Sequence, residues 1–174
     1  MIGNITNGSG ARGVLNYVTG REKEAEYIGG TMAGQTAREL AAEFKATRQM
    51  KPDAVNPVKH YSLSLPPGER WSAEKWEQVA SGYMKGMGYE GAQWVAFRHS
   101  DKEHDHIHIV ASRIRLDASL VRDYQDFNKS QDVLRGIERE HGLTLQTSSK
   151  DREFQTKQST QGEAKFEERT GRDD

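Results

Sequence analysis

The chain has 174 residues, enough for one domain with a real core, yet only 34% of them are apolar and the mean hydropathy is −0.89, so part of it lies outside any core. Lys and Arg number 25 against 26 Asp and Glu, a formal net charge of −1 that argues against a generic nucleic-acid-coating protein but leaves room for an enzyme with a local basic groove. Without cysteine there is neither a disulfide framework nor a thiolate ligand, so any metal must be held by imidazole and carboxylate.

No signal-peptide pattern opens the chain and no run reaches membrane-spanning length, so a cytoplasmic location without membrane insertion is expected. Ile2 to Ile5 reads as a short strand, followed by the flexible turn Asn7-Gly8-Ser9-Gly10. Residues 11–19 read as a short helix ended by Gly20, and 26–32 as a strand or an irregular segment. Thr36 and Glu39 match a capping box for a helix reaching about Gln49, with Leu40, Ala41 and Phe44 inward and Pro52 closing the region. Lys45, Arg48, Lys51 and Lys59 lie close in sequence and form either a basic patch or, more commonly, a solvated helix face.

From Val58 to Leu65 the chain alternates, with Val58, His60, Ser62 and Ser64 on one face and Lys59, Tyr61, Leu63 and Leu65 on the other. Ser72 then caps a helix to about Met87 whose stripe of Trp76, Val79, Ala80, Tyr83, Met84 and Met87 has core spacing. Strands follow at 93–99 and 106–114, then a turn near Asp117 and a helix from about Ser130 to His141. From Gln146 onward charges dominate and Phe154 and Phe166 are the large anchors, too little apolar surface to offset the ordering entropy. The expected division is a domain over 1–144 and a polar linker or peripheral segment over 145–174 that leads toward a longer protein. The order β-α-β-α-β-α-β-β-α predicts an α+β fold, one mainly antiparallel central sheet packed by helices.

The most informative stretch is His99-Ser-Asp101-Lys-Glu-His104-Asp-His106-Ile-His108-Ile-Val. On a strand, His106 and His108 share a face while Ile107 and Ile109 point away from it. If strands 93–99 and 106–114 pair antiparallel, the loop 100–105 brings His99 beside them. Three imidazoles on neighbouring strands with open positions describe a catalytic metal site. A His-rich tract can also bind metal adventitiously, and His104 reads as a solvated residue. Imidazoles suit Mn, Zn, Ni or Co better than Mg, which prefers oxygen. Tyr17, on the short first helix between glycine-rich turns, is on pattern alone a core tyrosine or one capping the sheet. Beside a metal, its phenolate would be a competent nucleophile toward phosphorus.

Together, Gly10-Ala-Arg12-Gly-Val-Leu-Asn-Tyr17 and His99-x-Asp101-x4-His106-Ile-His108-Ile-Val-x-Ser112-Arg113 resemble the first and third motifs of the plasmid mobilisation relaxases. These are nuclease domains of the histidine-hydrophobe-histidine endonuclease group. His60-Tyr-Ser-Leu-Ser64-Leu-Pro-Pro-Gly is similar to that family's middle region. The resemblance covers residues 1 to about 143 and implies a relaxase-like two-layer sandwich.

It further implies that His99, His106 and His108 hold one divalent cation, functionally Mn or Mg. Tyr17 would attack the scissile phosphate of single-stranded DNA at an origin of transfer, giving a 5′-phosphotyrosyl intermediate and a free 3′-hydroxyl. Asp101 would orient a ligand imidazole, and Arg12, Ser64 and Arg113 would contact DNA. Position 112 is Ser where relatives often have Asn, and no role is carried to it. Accessory relaxosome proteins and a coupling protein are the implied partners.

The rival readings are a rolling-circle replication initiator using Tyr124, the one tyrosine downstream of His108, and a three-histidine zinc hydrolase that activates water. A non-catalytic DNA-binding or assembly module with vestigial histidines is the third.

Overall fold

The computed structural model describes residues 1–8, 10–20, 25–99 and 104–143. Its elements follow the expected order: β1 (Ile2–Gly8), α1 (Arg12–Thr19), β2 (Ala25–Gly30), α2 (Ala37–Arg48), β3 (Val58–Ser64), α3 (Ala73–Gly86), β4 (Trp94–His99), β5 (His106–Ser112) and α4 (Asp126–Glu140). The strands form a single open sheet in the order β1-β3-β5-β4-β2, with every neighbouring pair antiparallel. The fold is α+β.

Alternation along the strands divides the core in two. Tyr61 and Leu63 of β3, Ile107, Ile109 and Ala111 of β5, and Trp94 and Ala96 of β4 face α3 and α4, where Trp76 and Tyr83 are fully buried. Each such large side chain contributes roughly 1.5–3 kcal/mol by leaving water. The opposite residues Val58, Val95, Phe97 and Val110 pack beneath Leu15 and Val18 of α1 and Leu40 and Phe44 of α2. The two-layer arrangement thus describes the α3–α4 side, and α1 with α2 adds a partial layer on the other. On that other face lie the histidines.

Three local expectations are modified. Thr36 Oγ1 accepts the Glu39 N–H at 3.2 Å, but the Glu39 carboxylate turns to the Gln35 N–H at 3.2 Å instead of closing the capping box on Thr36. Helix α4 begins at Asp126, a turn before the expected Ser130; in that first turn only Phe127 is apolar, and it is exposed, so no apolar periodicity marks the turn. And Lys59 belongs to no basic surface. It is 1% exposed and donates to Asn7 and, at 3.1 Å, to Asp126, with Asp123 at 3.3 Å. A buried ammonium is tolerated only with such partners. Residues 145–174 lie outside the described residues.

Candidate active site

Strand register places the histidines before any side-chain contact is considered. His99 pairs with His106 across β4 and β5, and His106 with Ser64 across β5 and β3. One step along, Phe97, His108 and Ser62 form the next row, and His60 follows opposite Val110. His99, His106 and His108 are all buried, and one ring nitrogen from each lies within 4.8 Å of the others. Their ring centroids are separated by 4.4 Å (His99 to His108), 5.1 Å (His106 to His108) and 5.7 Å (His99 to His106).

Outer partners fix how the rings are turned. His99 Nε2 donates to the Val18 carbonyl at 2.7 Å, which leaves Nδ1 as the lone-pair nitrogen. That Nδ1 is buried and has no hydrogen-bond partner among the described residues. An orphaned buried acceptor is costly, and a bound cation removes the cost. His106 Nδ1 lies 3.2 Å from the His104 carbonyl and donates to it, leaving Nε2 for a ligand. His104 therefore contributes its backbone.

His108 Nδ1 lies 2.8 Å from His60 Nε2. Burial, with the His99 imidazole beside it, pushes the His60 pKa down to about 4. Neutral at pH 7, His60 can accept a hydrogen bond from His108 Nδ1–H and leave His108 Nε2 as the ligand nitrogen. Such outer hydrogen bonds are how ligand imidazoles are oriented. Three imidazoles turned in this way fit a borderline divalent cation.

Tyr17 sits over this set. Leu15 and Val18 pin α1 to the sheet, and Tyr17, about 100° around the helix from Val18, comes to the flank. Its ring is edge-on to His108 at 5.5 Å, His99 at 5.9 Å and His60 at 6.3 Å between centroids, while 45% of the residue stays exposed. A phenol against the imidazoles on one side and open to solvent on the other can meet an incoming phosphate.

Behind the site, Asp105 fixes the β4–β5 hairpin. Its buried carboxylate accepts Arg98 Nε at 2.8 Å and Nη2 at 2.9 Å, the Trp71 N–H at 3.0 Å and Trp76 Nε1 at 3.0 Å. Its carbonyl accepts the Leu65 N–H at 2.9 Å. Sequence alone points to Asp101, which lies outside the described residues, and gives Asp105 no role. The available signal was parity: Asp105 shares the face of Ile107 and Ile109, where a carboxylate needs a cation such as Arg98.

Ser64 is half-buried in the His106 row, and Arg12 is exposed at the start of α1. Arg113 is placed otherwise. It is 8% exposed, donates to the Val121 and Val55 carbonyls and pairs with Asp123 at 3.2 Å, so its guanidinium ties loops together.

Residues 17–143, well over half of the chain, match the family model described as relaxase, MobA/VirD2-like, nuclease domain. The chain belongs to this family. MobA/VirD2-like relaxase nuclease domains nick DNA in plasmid mobilisation, and the family implies single-stranded DNA at an origin of transfer as substrate. A solved structure from work on the molecular basis of vancomycin resistance transfer in Staphylococcus aureus is similar in fold, with a TM-score of 0.50 at 11% identity over 85% of this chain and 98% of that one. Among curated proteins none matches the chain. Among the described residues of this relaxase domain, no helix is long and apolar enough to cross a membrane.

Proposed function

We propose that the chain nicks and rejoins one DNA strand at a plasmid origin of transfer by transesterification, with Tyr17 as nucleophile and His99, His106 and His108 holding one divalent cation. The observation that carries this reading is the Tyr17 ring lying against His108 and His99 with its other side in solvent. When bound, the cation supplies Lewis-acid stabilisation of the non-bridging phosphate oxygens and a template for the phosphate. Mn or Mg is the functional ion in this reading, and Zn, Ni and Co also suit imidazole ligands.

Tyr17 Oη forms a bond to the scissile phosphorus and the bond from phosphorus to the 3′ oxygen breaks. The phenol proton leaves through the exposed side of the ring, the 3′ oxygen takes up a proton, and a 5′-phosphotyrosyl ester remains. One phosphate ester replaces another, so the reverse reaction can reseal the strand. The remaining residues position these groups: Val18 and His60 turn two of the rings, and Asp105 sets the hairpin. Ser64 and Arg12 border the path of the strand, and Asp101 is assigned to orienting a ligand imidazole. Accessory relaxosome proteins and a coupling protein in the cytoplasm complete the proposal.

The rolling-circle reading places its nucleophile at Tyr124, which is 82% exposed and has no ring contact with a histidine among the described residues. Incubation of the protein and Mn with single-stranded oligonucleotides carrying candidate origin sequences tests the choice. Wild type should give a denaturation-resistant protein–DNA adduct, and Tyr17→Phe should lower its formation by on the order of 10³-fold or more. Undiminished adduct in Tyr17→Phe, or loss of adduct in Tyr124→Phe alone, would overturn the assignment. Turnover without any adduct would favour a water-activating hydrolase.

A further inference from the structure

The sheet face that carries the histidines continues past them into a cavity of which the proposed reaction uses only Arg12, at the rim. It measures about 260 Å³ and lies between the start of α1, the outer half of α2 and the ends of β3 and β5. Its floor is apolar, made by half-buried Ala41 and the outer edges of Phe44 and Val58, with Ile114 packed beneath. Its rim is cationic. Arg12 and Lys45 are exposed there, and Arg48, half-buried, is steadied by a 2.9 Å bond to the Ala54 carbonyl. No carboxylate pairs with any of these three among the described residues. The chain as a whole is slightly acidic, so a trio of cations without carboxylates around an apolar hollow is a local departure from the charge balance.

Position connects the cavity to the site. Val58 is two residues from His60 on the same face of β3, roughly 7 Å away. Ser112, at the cavity wall, continues the β5 face that begins with His106 and His108. Arg12 and Tyr17 occupy opposite ends of α1, roughly 7.5 Å apart along its axis. A strand lying over Tyr17 and running toward the start of α1 therefore meets the cavity.

We propose that this cavity takes one nucleotide of the strand on which Tyr17 acts, with its base against Ala41, Phe44 and Val58 and its backbone phosphate held by Arg12 and Lys45. The proposal rests on the relaxase reading and deepens it, by giving that site a subsite for a base near the nick. A planar ring that carries a phosphate matches both halves of the cavity. Apolar floors hold bases through stacking and packing, and Arg and Lys at the mouth hold the phosphate through its charge. The volume lies below the ~300–1,000 Å³ of drug-sized sites and suits a single ring system.

Fluorescence anisotropy on the full chain with Mn tests this, using two labelled probes of about 20 nucleotides: an oligothymidylate and a base-free strand of the same sugar-phosphate length. Wild type should bind the oligothymidylate more tightly than the base-free strand. Ala41→Trp, which fills the cavity from α2, should weaken oligothymidylate binding by on the order of ten-fold and leave base-free binding unchanged. Lys45→Glu, at an exposed position, should weaken both probes and flatten their salt dependence by about one ion.

The proposal is overturned if Ala41→Trp keeps its fold by circular dichroism and affects the two probes alike, or affects neither. Should that variant not fold, Lys45→Glu binding like wild type, or wild type binding both probes equally, overturns it instead. Failure of the relaxase reading shows separately, as absence of the Tyr17 adduct from wild type whichever way the binding measurements fall.

Discussion

His60 reaches the proposed site through another side chain, His108. Its neutral ring is the partner that orients His108, so its removal should act through metal affinity while the fold persists. His60→Ala is expected to weaken Mn binding about 10–100-fold in calorimetry. His60→Gln, whose amide oxygen can accept from His108 Nδ1, should recover part of that loss. Equal affinity for both variants and wild type would remove His60 from the site. In the sequence His60 was legible only as a residue on one face of a strand. The pairing of β3 with β5, which puts that face against His108, joins segments 48 residues apart and leaves no local trace. The same holds for Val18, which acts through a carbonyl and so through no side-chain signal.

Among the elements, the β4–β5 hairpin is held from behind as firmly as it is decorated in front. Asp105 binds Arg98 with two bonds and adds two tryptophan N–H groups, all within 3.0 Å. Asp105→Asn keeps the shape but removes the charge opposite a largely buried guanidinium. Losing one partner of a buried pair costs about 3–5 kcal/mol, so a clear drop in melting temperature is expected, along with weaker metal binding at the adjacent His106. A variant that melts with wild type would show that Arg98 finds compensation from Glu26, 3.6 Å away.

At the same scale, sequence periodicity reported the strands and α3 well, because apolar residues recur there at the spacing each element requires. It failed at the start of α4, where Asp126 is drawn inward by Lys59, and at the capping box, where Glu39 has a nearer amide in Gln35.

At the scale of the whole molecule, the core under α3 contains three tyrosines with buried hydroxyls. Tyr61 and Tyr89 share a hydrogen bond of 2.6 Å, and Tyr83 bonds Ser130 at 2.6 Å. Burial pushes all three well above the usual phenol range. An unfolded chain would ionise these groups near pH 10 and the native chain would not, so stability is full below that pH and falls as it is exceeded. Alkaline titration followed at phenolate absorbance should therefore show Tyr61, Tyr83 and Tyr89, half of the six tyrosines, ionising together with loss of near-ultraviolet dichroism. Smooth ionisation of all six before unfolding would contradict that core.

The fold class, its element order and the histidine triad could thus be read from one sequence. The partial layer of α1 and α2, and the cavity beneath it, depend on long-range packing and could not. That layer also has a bearing on transplanting the site. All three histidines proposed as ligands lie on one hairpin, which invites its use as a self-contained metal tag. Cut away from α1, however, the hairpin loses the Val18 carbonyl that selects the His99 tautomer, and with it the choice of coordinating nitrogen. A peptide spanning 94–112 should bind Mn more weakly than the domain and with mixed ring-nitrogen coordination, a difference that paramagnetic resonance can read.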